Sequence, residues 1–442
     1  MNSFEGLHLS SPILQALKSK GYTEPTPVQL KAIPLILEGR DLFGSAQTGT
    51  GKTAAFALPL LQLMSNKAIR THNVRTLVLA PTRELAIQIG DSFRDYGKNL
   101  GMRHVVVYGG VSQHQQTQTL RKGIDIIVAT PGRLLDLMEQ GFIKLNDVEF
   151  LVLDEADRML DMGFIHDIKR IVAKVPVKRQ TMLFSATIPS QIKKLAHDLL
   201  RNPVSVDIKP EFHELKMVKQ QVYLVEKNDK TGLLCQLINS EPNGHALIFT
   251  RTRRGADKLV KALNLKGIRS QAIHGDKSQS QRQRVLADFK SKKVHMLIAT
   301  DVASRGIDVK DLSHVINFDM PEGADTYTHR IGRTGRAGAT GVAFSFCSRE
   351  EQGLLKEIQR FSSEKISLVK HISPGRAAGD DSIRLDSDEP KRVGYGDRRN
   401  ASHGDRKKVG FGERKKAGFG ARKRIGYNDR PKVRYGETRK AG

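Results

Sequence analysis

The sequence is poor in cysteine and has no long apolar run. Its 442 residues contain 2 cysteines, Cys235 and Cys347, each in an apolar stretch and without the spacing of a redox or zinc site, so we interpret both as core residues. No stretch approaches the ~18 consecutive apolar residues that a membrane span needs. The N-terminal MNSFEGLHLS also lacks the basic-then-apolar layout of a secretory signal. These absences predict a soluble, cytoplasmic protein with no membrane partner.

Acidic residues are also in deficit. The chain carries 73 Lys or Arg against 47 Asp or Glu, a formal net charge of +26. This excess favours a polyanionic partner, either nucleic acid or an anionic membrane surface, and of the two we expect nucleic acid. The length exceeds what one hydrophobic core usually serves, so we expect two globular domains with additional segments.

Short β-branched runs alternate with helix-length amphipathic segments, as in parallel sheets flanked by helices. We predict strands at 77–81, 105–110, 126–130, 150–157 and 181–187, and a second series at 245–250, 270–275, 295–300, 314–319 and 341–347. The predicted fold class is α/β, with a first domain at 1–205, a flexible linker at 206–217, a second domain at 218–372 and a disordered tail at 373–442. The stretch 201–216, with two prolines, mixed charge and little helical period, indicates the linker.

Polar residues follow the apolar runs at the ends of the predicted strands. They occur at 81–83, 109–110, 130–133, 154–155 and 185–187 in the first half, and at 300–301 in the second. Open α/β sheets bind their ligands outside the carboxyl ends of the strands. We therefore predict two facing functional edges.

The segment AQTGTGKT (46–53) follows the strand-like DLFG and precedes a helical run, the context of a phosphate-binding loop. Its backbone N–H groups can wrap a phosphate, Lys52 can neutralise the β and γ oxygens, and Thr53 can offer its hydroxyl to Mg²⁺. Ala46 stands where the generic pattern has a glycine. The nucleotide-binding candidates are Ala46, Gln47, Thr48, Gly49, Thr50, Gly51, Lys52 and Thr53. A glycine-rich turn without a ligand is the alternative interpretation.

A second motif, DEAD at 154–157, ends an apolar strand about a hundred residues later. In a phosphate-loop ATPase, this is where the aspartate that organises Mg²⁺ belongs, so Asp154 is the metal candidate together with Thr53. The neighbouring Glu155 can polarise the water that attacks the γ-phosphate. An acidic pair that only caps a helix is the alternative, and Lys52 and Thr53 upstream argue against it.

The order of the motifs resembles one family. PTPVQ, AQTGTGKT, PTREL, GG, TPGR, DEAD and SAT are followed by ATDVASRGID and HRIGRTGR, within residues 4–370. This order resembles that of the DEAD-box ATP-dependent RNA helicases, and the opening SFEGLHLSSPILQAL and the basic tail are similar to the bacterial RhlE-type branch. The resemblance implies two RecA-like domains with a monomeric core that close over ATP, Mg²⁺ and single-stranded RNA, and local unwinding of RNA duplexes.

The resemblance also implies roles at the ATP site. Gln29 would read the adenine edge, because an amide offers a donor and an acceptor together, and Phe4 would stack on the base. Arg333 and Arg336 would reach the γ-phosphate from the second domain, and Asp308 would meet the ribose. A glutamine in a capped helix and a basic loop that only touches RNA are the alternatives for Gln29 and the arginines.

Backbone N–H groups, hydroxyls and arginines at helix N-termini can hold phosphates and sugars without reading bases, so we expect largely sequence-independent RNA binding. The first-domain candidates are Pro81, Thr82, Arg83, Gly110, Thr130, Gly132 and Arg133, and those of the second are Arg251, Thr300, Asp301 and Arg305. Only the resemblance favours RNA over DNA, through contacts to 2′-hydroxyls. It also implies that Ser185 and Thr187, in SAT, couple the two sites; hydroxyls that cap the next helix are the alternative.

The tail repeats an eight-residue pattern six times over 393–440, each repeat with Tyr, His or Phe third and then a basic run. Residues 391–442 hold 18 Lys or Arg and 5 Asp or Glu, a net +13 that is half of the whole chain's +26. This pattern forms no helical stripe, and its glycines argue against a strand, so we predict a disordered RNA tether. A solubilising tail is the alternative. An ATP-locked RNA clamp or annealing chaperone, and a DNA-directed motor, stay open as other functions.

Overall fold

Two parallel β-sheets organise the chain. The structure is a computed structural model that describes residues 3–46, 49–66, 73–207, 218–241, 244–301, 312–335, 340–361 and 366–370. The described residues all belong to one compact unit, Met1–Ala378. No helix among them is both long enough and apolar enough to cross a membrane.

The first domain opens with a 3₁₀ helix at Phe4–Leu7. Its helices are α1 (Ser11–Ser19), α2 (Pro27–Leu37), α3 (Lys52–Asn66), α4 (Arg83–Tyr96), α5 (His114–Arg121), α6 (Pro131–Glu139), α7 (Ala156–Asp161), α8 (Ile165–Val172) and α9 (Ser190–Leu199). Its strands are β1 (Leu42–Ser45), β2 (Thr76–Leu79), β3 (His104–Val107), β4 (Ile126–Ala129), β5 (Phe150–Leu153), β6 (Gln180–Ser185) and β7 (Val204–Asp207). They form a seven-stranded sheet in the order β3-β4-β2-β5-β6-β1-β7.

The second domain repeats this plan. Its strands are β8 (Val218–Leu224), β9 (Ala246–Phe249), β10 (Ser270–Ile273), β11 (Met296–Ala299), β12 (His314–Asn317), β13 (Gly341–Cys347) and β14 (Ser367–Lys370). Its helices are α10 (Lys230–Ser240), α11 (Arg253–Leu265), α12 (Gln279–Lys290), α13 (Ala324–Ile331) and α14 (Gln352–Phe361), with a 3₁₀ turn at Arg349–Glu351. The seven strands lie in the order β10-β11-β9-β12-β13-β8-β14.

Helices cover both faces of each sheet, which explains the continuous apolar strands. In the first sheet β2, β4 and β5 are buried at every position, as expected when neither face meets water. Successive side chains point to opposite faces, so Val152 joins one apolar core while Leu151 and Leu153 join the other. In the second sheet, Ile248 likewise joins one apolar core while Leu247 and Phe249 join the other.

The two sheets correspond strand by strand. In the orders above, β2 occupies the place of β9, β3 that of β10, β5 that of β12, and β1 that of β8. The helices that follow β2 and β9 begin alike: Thr82 accepts a hydrogen bond from the Leu85 N–H, and Thr252 accepts one from the Gly255 N–H. Positions in one domain therefore have definable counterparts in the other.

The α/β fold class and the ten predicted strands are confirmed, with ends that differ by a few residues. β7, β8 and β14 were not predicted, because each lies at or beside a sheet edge and its apolar signal is weak. β7 begins within the proline-containing stretch that reads as a linker, and only Val206 of its four residues is buried. Residues 208–217 of the predicted linker and the tail from 371 onward lie outside the described residues.

Candidate functional site

The phosphate-loop candidate lies between β1 and α3. The ammonium of Lys52, the first residue of α3, is buried and donates to the carbonyl of Ala46 at 2.8 Å. Gly49 and Gly51 have φ of 95° and 92°, values that favour glycine over other residues. Thr53 follows in the first turn of the helix, half-buried, and Thr50 precedes it in the loop. Gln47 and Thr48 lie outside the described residues.

Gln29 joins this loop to α2. Its side-chain oxygen accepts from the Thr26 N–H at 3.0 Å and its amide donates to the Gly51 carbonyl at 3.1 Å. A β-carbon on Gly51 would lie 2.5 Å from that amide nitrogen. Gln29 thus completes the cap of α2, as the alternative interpretation expects, and also contacts the phosphate loop; its reading of adenine stays a prediction. Phe4 is buried and packs in the same apolar core as Val28.

The DEAD segment follows β5 at the same edge of the sheet. Asp154 and Glu155 are 2% and 3% exposed. Burial raises the pKa of Asp154 to about 6; Lys52 opposes this rise and Glu155 adds to it. Because Lys52 lies close enough to lower the pKa of Asp154, the fold brings the two motifs together.

Glu155 adopts an uncommon backbone conformation. Its φ and ψ of 54° and 54° lie in the left-handed region, which costs a non-glycine residue about 1–3 kcal/mol and is concentrated at functional sites. Its carboxylate accepts a short hydrogen bond from the Arg158 guanidinium one turn later. The general-base candidate is therefore held by its own helix.

Asp157, the last residue of DEAD, connects this segment to SAT. Its Oδ2 accepts from the Ala186 N–H at 3.1 Å, from the Thr187 N–H at 2.8 Å and from the Thr187 hydroxyl at 3.0 Å. Its own N–H donates to Ser185 Oγ at 3.3 Å, and that hydroxyl donates to the Thr187 carbonyl at 2.7 Å. Sequence reasoning named Ser185 and Thr187 and missed Asp157, although it stands in the same motif.

The first-domain RNA candidates lie at the ends of the adjacent strands β2, β3 and β4. Pro81 and Thr82 are buried where α4 begins. Arg83 lies directly on Gly110, whose φ is 80°, and a β-carbon there would come within 2.1 Å of Arg83 Nη1. The glycine therefore makes room for the arginine.

The candidates after β4 are arranged similarly. Thr130 precedes α6 and its N–H donates to the Val107 carbonyl at 2.9 Å. Gly132 is exposed, and Arg133 pairs with Asp136 at 3.2 Å. The fold thus places these residues at one edge, as predicted.

The second-domain candidates have more internal partners than expected. Asp301 accepts two hydrogen bonds from the buried Arg330, at 2.6 and 2.7 Å, and Arg330 stacks over the Phe249 ring at 4.9 Å. Thr300 is buried at the end of β11, and Arg333 is buried in the turn after α13. Arg305, Asp308 and Arg336 lie outside the described residues.

Strand correspondence reveals a residue that the sequence reasoning missed. In the second domain the counterpart of Arg83 is Arg253, one position after the capping Thr252. Arg253 lies on Gly275 as Arg83 lies on Gly110, with its Cζ 3.3 Å from an added β-carbon. The signal was the pair Thr-Arg after the equivalent strand in each half.

Residues of the two domains also meet directly. Glu84, beside Arg83, accepts a hydrogen bond from the Gln279 amide at 3.2 Å and pairs with Arg282 at 3.0 Å. Arg83 Nη1 donates to Gln279 Oε1 at 3.4 Å. The N-terminus of α12 therefore contacts the first-domain edge that carries the RNA candidates.

Family models match most of the described chain. The model for the DEAD/DEAH box helicase matches residues 26–195, and that for the helicase conserved C-terminal domain matches residues 229–338. DEAD-box ATP-dependent RNA helicase CshA of Geobacillus kaustophilus is 42% identical over 370 residues, 84% of this chain and 79% of that protein. CshA of Bacillus subtilis is 41% identical over 368 residues, 83% of this chain and 74% of that protein.

Solved structures agree with these matches. S. cerevisiae Dbp5 bound to RNA and ADP BeF3 is 30% identical, with a TM-score of 0.74 over 84% of this chain and 96% of that chain. Mss116p bound to ssRNA and AMP-PNP is 30% identical, with a TM-score of 0.76 over 84% of this chain and 78% of that chain. The sequence order, the twin sheets and these matches agree, and this chain belongs to the DEAD-box ATP-dependent RNA helicases.

Proposed function

We propose that this helicase hydrolyses ATP at the β1–β5–β6 edge of its first domain and uses closure of the two domains to hold single-stranded RNA and separate short duplexes. The observation that carries the proposal is the network around Asp157. One carboxylate oxygen joins the DEAD segment after β5 to Thr187 after β6, so a change at the nucleotide can be passed from one segment to the other. An ionised carboxylate has two oxygens that can each accept more than one hydrogen bond, so Asp157 can contact several groups of SAT at once.

The residues at this edge fit a nucleotide with Mg²⁺. Asp154 is a buried carboxylate whose pKa is raised by burial, and Thr53, the residue after Lys52, adds a hydroxyl. Among the described residues no three His, Cys, Asp or Glu side chains cluster as a metal site. Mg²⁺ needs no such cluster, because it is often held by one or two protein oxygens and by phosphates. When bound, it would neutralise charge on the phosphates.

The chain's own groups supply the remaining chemistry. Lys52 and the loop N–H groups bind the β and γ phosphates, and Gln29 holds the adenine while anchoring the loop. Glu155 orients and deprotonates water for in-line attack. Its pairing with Arg158 fixes the orientation of the carboxylate. Phe4 and Asp308 would complete the contacts to base and ribose.

For RNA, we infer that the strand runs across Arg83, Gly110 and Arg133 and continues over the second domain at Thr252 and Arg253. Arginines packed on glycines at helix N-termini offer phosphate contacts without base reading. Arg251, Thr300, Asp301 and Arg305 remain candidates there. Contacts to the 2′-hydroxyls of the strand should make the protein bind RNA in preference to DNA.

The arginine candidates Arg333 and Arg336 would stabilise charge on the γ-phosphate once the domains close. Arg333→Ala should lower the RNA-stimulated ATPase rate by roughly 10³-fold with ATP affinity retained. The exposed Arg360→Ala is the matched control and should keep the rate. RNA should stimulate the wild-type chain and DNA of the same sequence should not. Equal stimulation by both would overturn the RNA assignment, and a normal rate in Arg333→Ala would overturn the two-domain site.

The remaining points are proposals from the sequence. The opening segment and the basic tail favour the RhlE-type branch, the composition favours a cytoplasmic protein, and the family resemblance favours a monomeric core. The domain limits 1–205, 206–217 and 218–372 are likewise proposed, with β7 extending the first domain to Asp207. The repeats at 393–440 would tether RNA through basic runs and spaced aromatic rings.

A further inference from the structure

A buried carboxylate, Glu351, joins several chain segments at the carboxyl edge of the second sheet. It accepts from Lys230 Nζ at 2.7 Å and from Arg251 Nη2 at 3.0 Å. It also accepts from the Met320 N–H at 3.1 Å, and from the N–H and hydroxyl of Ser348 at 3.0 Å each. The end of β9, the turn after β12, the end of β13 and the start of α10 therefore meet on one side chain.

Lys230 is the second-domain counterpart of Lys52. Each is the first residue of the helix that follows the strand second from the same end of its sheet, and each is followed by a threonine. Lys230 is 2% exposed, and its ammonium also donates to the Phe318 carbonyl at 2.9 Å. In the first domain we assign this ammonium position to phosphate. In the second, carboxylates of the chain supply the negative charge: Glu351 at 2.7 Å from the ammonium and Asp319 at 3.5 Å.

Arg251 receives its orientation from the same cluster. Its N–H donates to Asp319 Oδ2 at 2.9 Å, and its guanidinium is held by Glu351 while 47% of the side chain remains exposed. A guanidinium has five donors, so one pairing leaves others for a phosphate. Arg251 also stands at the counterpart position of Pro81, on the edge assigned to RNA.

We propose that Glu351 is a positioning residue for RNA binding: it takes the place of a phosphate beside Lys230 and thereby fixes Arg251 against the RNA backbone. The second domain then has an ordered binding edge without a nucleotide of its own. This inference rests on the proposed RNA function. A fixed arginine loses less freedom on binding than a mobile one, so the expected effect is on RNA affinity and not on the chemical step.

The test uses Glu351→Gln in the full chain, which preserves shape and removes the charge. The matched control is Glu350→Gln, the adjacent exposed carboxylate, 3.7 Å from the equally exposed Lys227. Glu351→Gln should raise the RNA concentration for half-maximal ATPase stimulation roughly tenfold, as for loss of a contact to a charged group, with a maximal rate within about threefold. The control should leave both unchanged. An unchanged RNA half-saturation in Glu351→Gln overturns the proposal.

A double-mutant cycle with Arg251→Met separates positioning from general damage. Arg251→Met alone should raise the RNA half-saturation, and adding Glu351→Gln should then change it little. A full tenfold further loss would show that Glu351 does not act through Arg251, and that overturns the proposal. If Glu351→Gln fails to fold, Glu351→Asp replaces it: this variant keeps the charge beside Lys230 but shortens the reach to Arg251, so it should also raise the RNA half-saturation, and an unchanged value overturns the proposal. Wild-type protein that RNA does not stimulate would instead reject the proposed function.

Discussion

Replacing Thr187 with valine removes one hydroxyl from the junction between DEAD and SAT and keeps the shape of the side chain. That hydroxyl is one of three donors to Asp157 Oδ2, beside the N–H groups of Ala186 and Thr187 itself. A hydrogen bond to a charged acceptor contributes about 1.5–3 kcal/mol. Because Thr187 is half-buried and two donors remain, we expect the lower limit, about 1.5 kcal/mol. This corresponds to a roughly tenfold change in the equilibrium between the states in which DEAD and SAT are hydrogen-bonded and not hydrogen-bonded.

The assay is the number of RNA duplexes separated per ATP hydrolysed. In Thr187→Val the RNA-stimulated ATPase rate should stay within about threefold of wild type, because Lys52, Asp154 and Glu155 are untouched. Duplexes separated per ATP should fall roughly tenfold, in proportion to the lost hydrogen bond. Thr187→Ser keeps the hydroxyl and is the control. An unchanged ratio in the valine variant, or an equal fall in the serine variant, would show that this hydroxyl does not couple hydrolysis to strand separation.

Three further predictions concern other parts of the chain. Gln29→Ala removes the hydrogen bonds to Thr26 and Gly51 and should weaken ATP binding roughly tenfold. In a competition assay, the preference for ATP over GTP should also decrease. An unchanged preference would leave Gln29 as a helix cap only. Deleting 391–442 should preserve the maximal ATPase rate and weaken RNA binding most at low salt, and equal affinity across a salt titration would reject the tether. Burial raises the pKa of Glu351, but Lys230 and Ser348 lower it by more, so the pKa in the folded protein is depressed. The stability that the ionised Glu351 contributes should therefore be present above the unfolded pKa of about 4.3 and be lost progressively as the pH falls below that value. The gap in thermal stability between wild type and Glu351→Gln should therefore close in that acidic range, and a gap that persists there would contradict this assignment.

The sequence predicted the elements whose signal is local. Apolar runs that are buried on both faces, such as β4 and β5, are continuous in the sequence, and polar residues after them mark the functional edge. The phosphate loop and DEAD were found because glycine, lysine and paired carboxylates have few other uses in that order. Edge strands such as β7 alternate weakly and carry little of this signal.

Contacts between distant segments could not be predicted in the same way. Nothing local tells that Asp157 accepts three donors from SAT, or that Glu351 meets Lys230 121 residues away in the chain. The likeness of Arg253 to Arg83 becomes visible only when the two sheets are aligned by strand order. Such contacts depend on the completed fold, because strand order brings the segments together.

The most direct test of the account is single-turnover ATP hydrolysis by Glu155→Gln in the presence of saturating RNA. The substitution keeps the side-chain volume and the hydrogen bond to Arg158 within reach, and it removes the basicity that the proposed chemistry requires. Turnover should fall by about 10²–10⁴-fold, the usual contribution of a general base, while ATP-dependent RNA binding persists. Near-normal hydrolysis in this variant would contradict the assignment of the DEAD edge as the catalytic site.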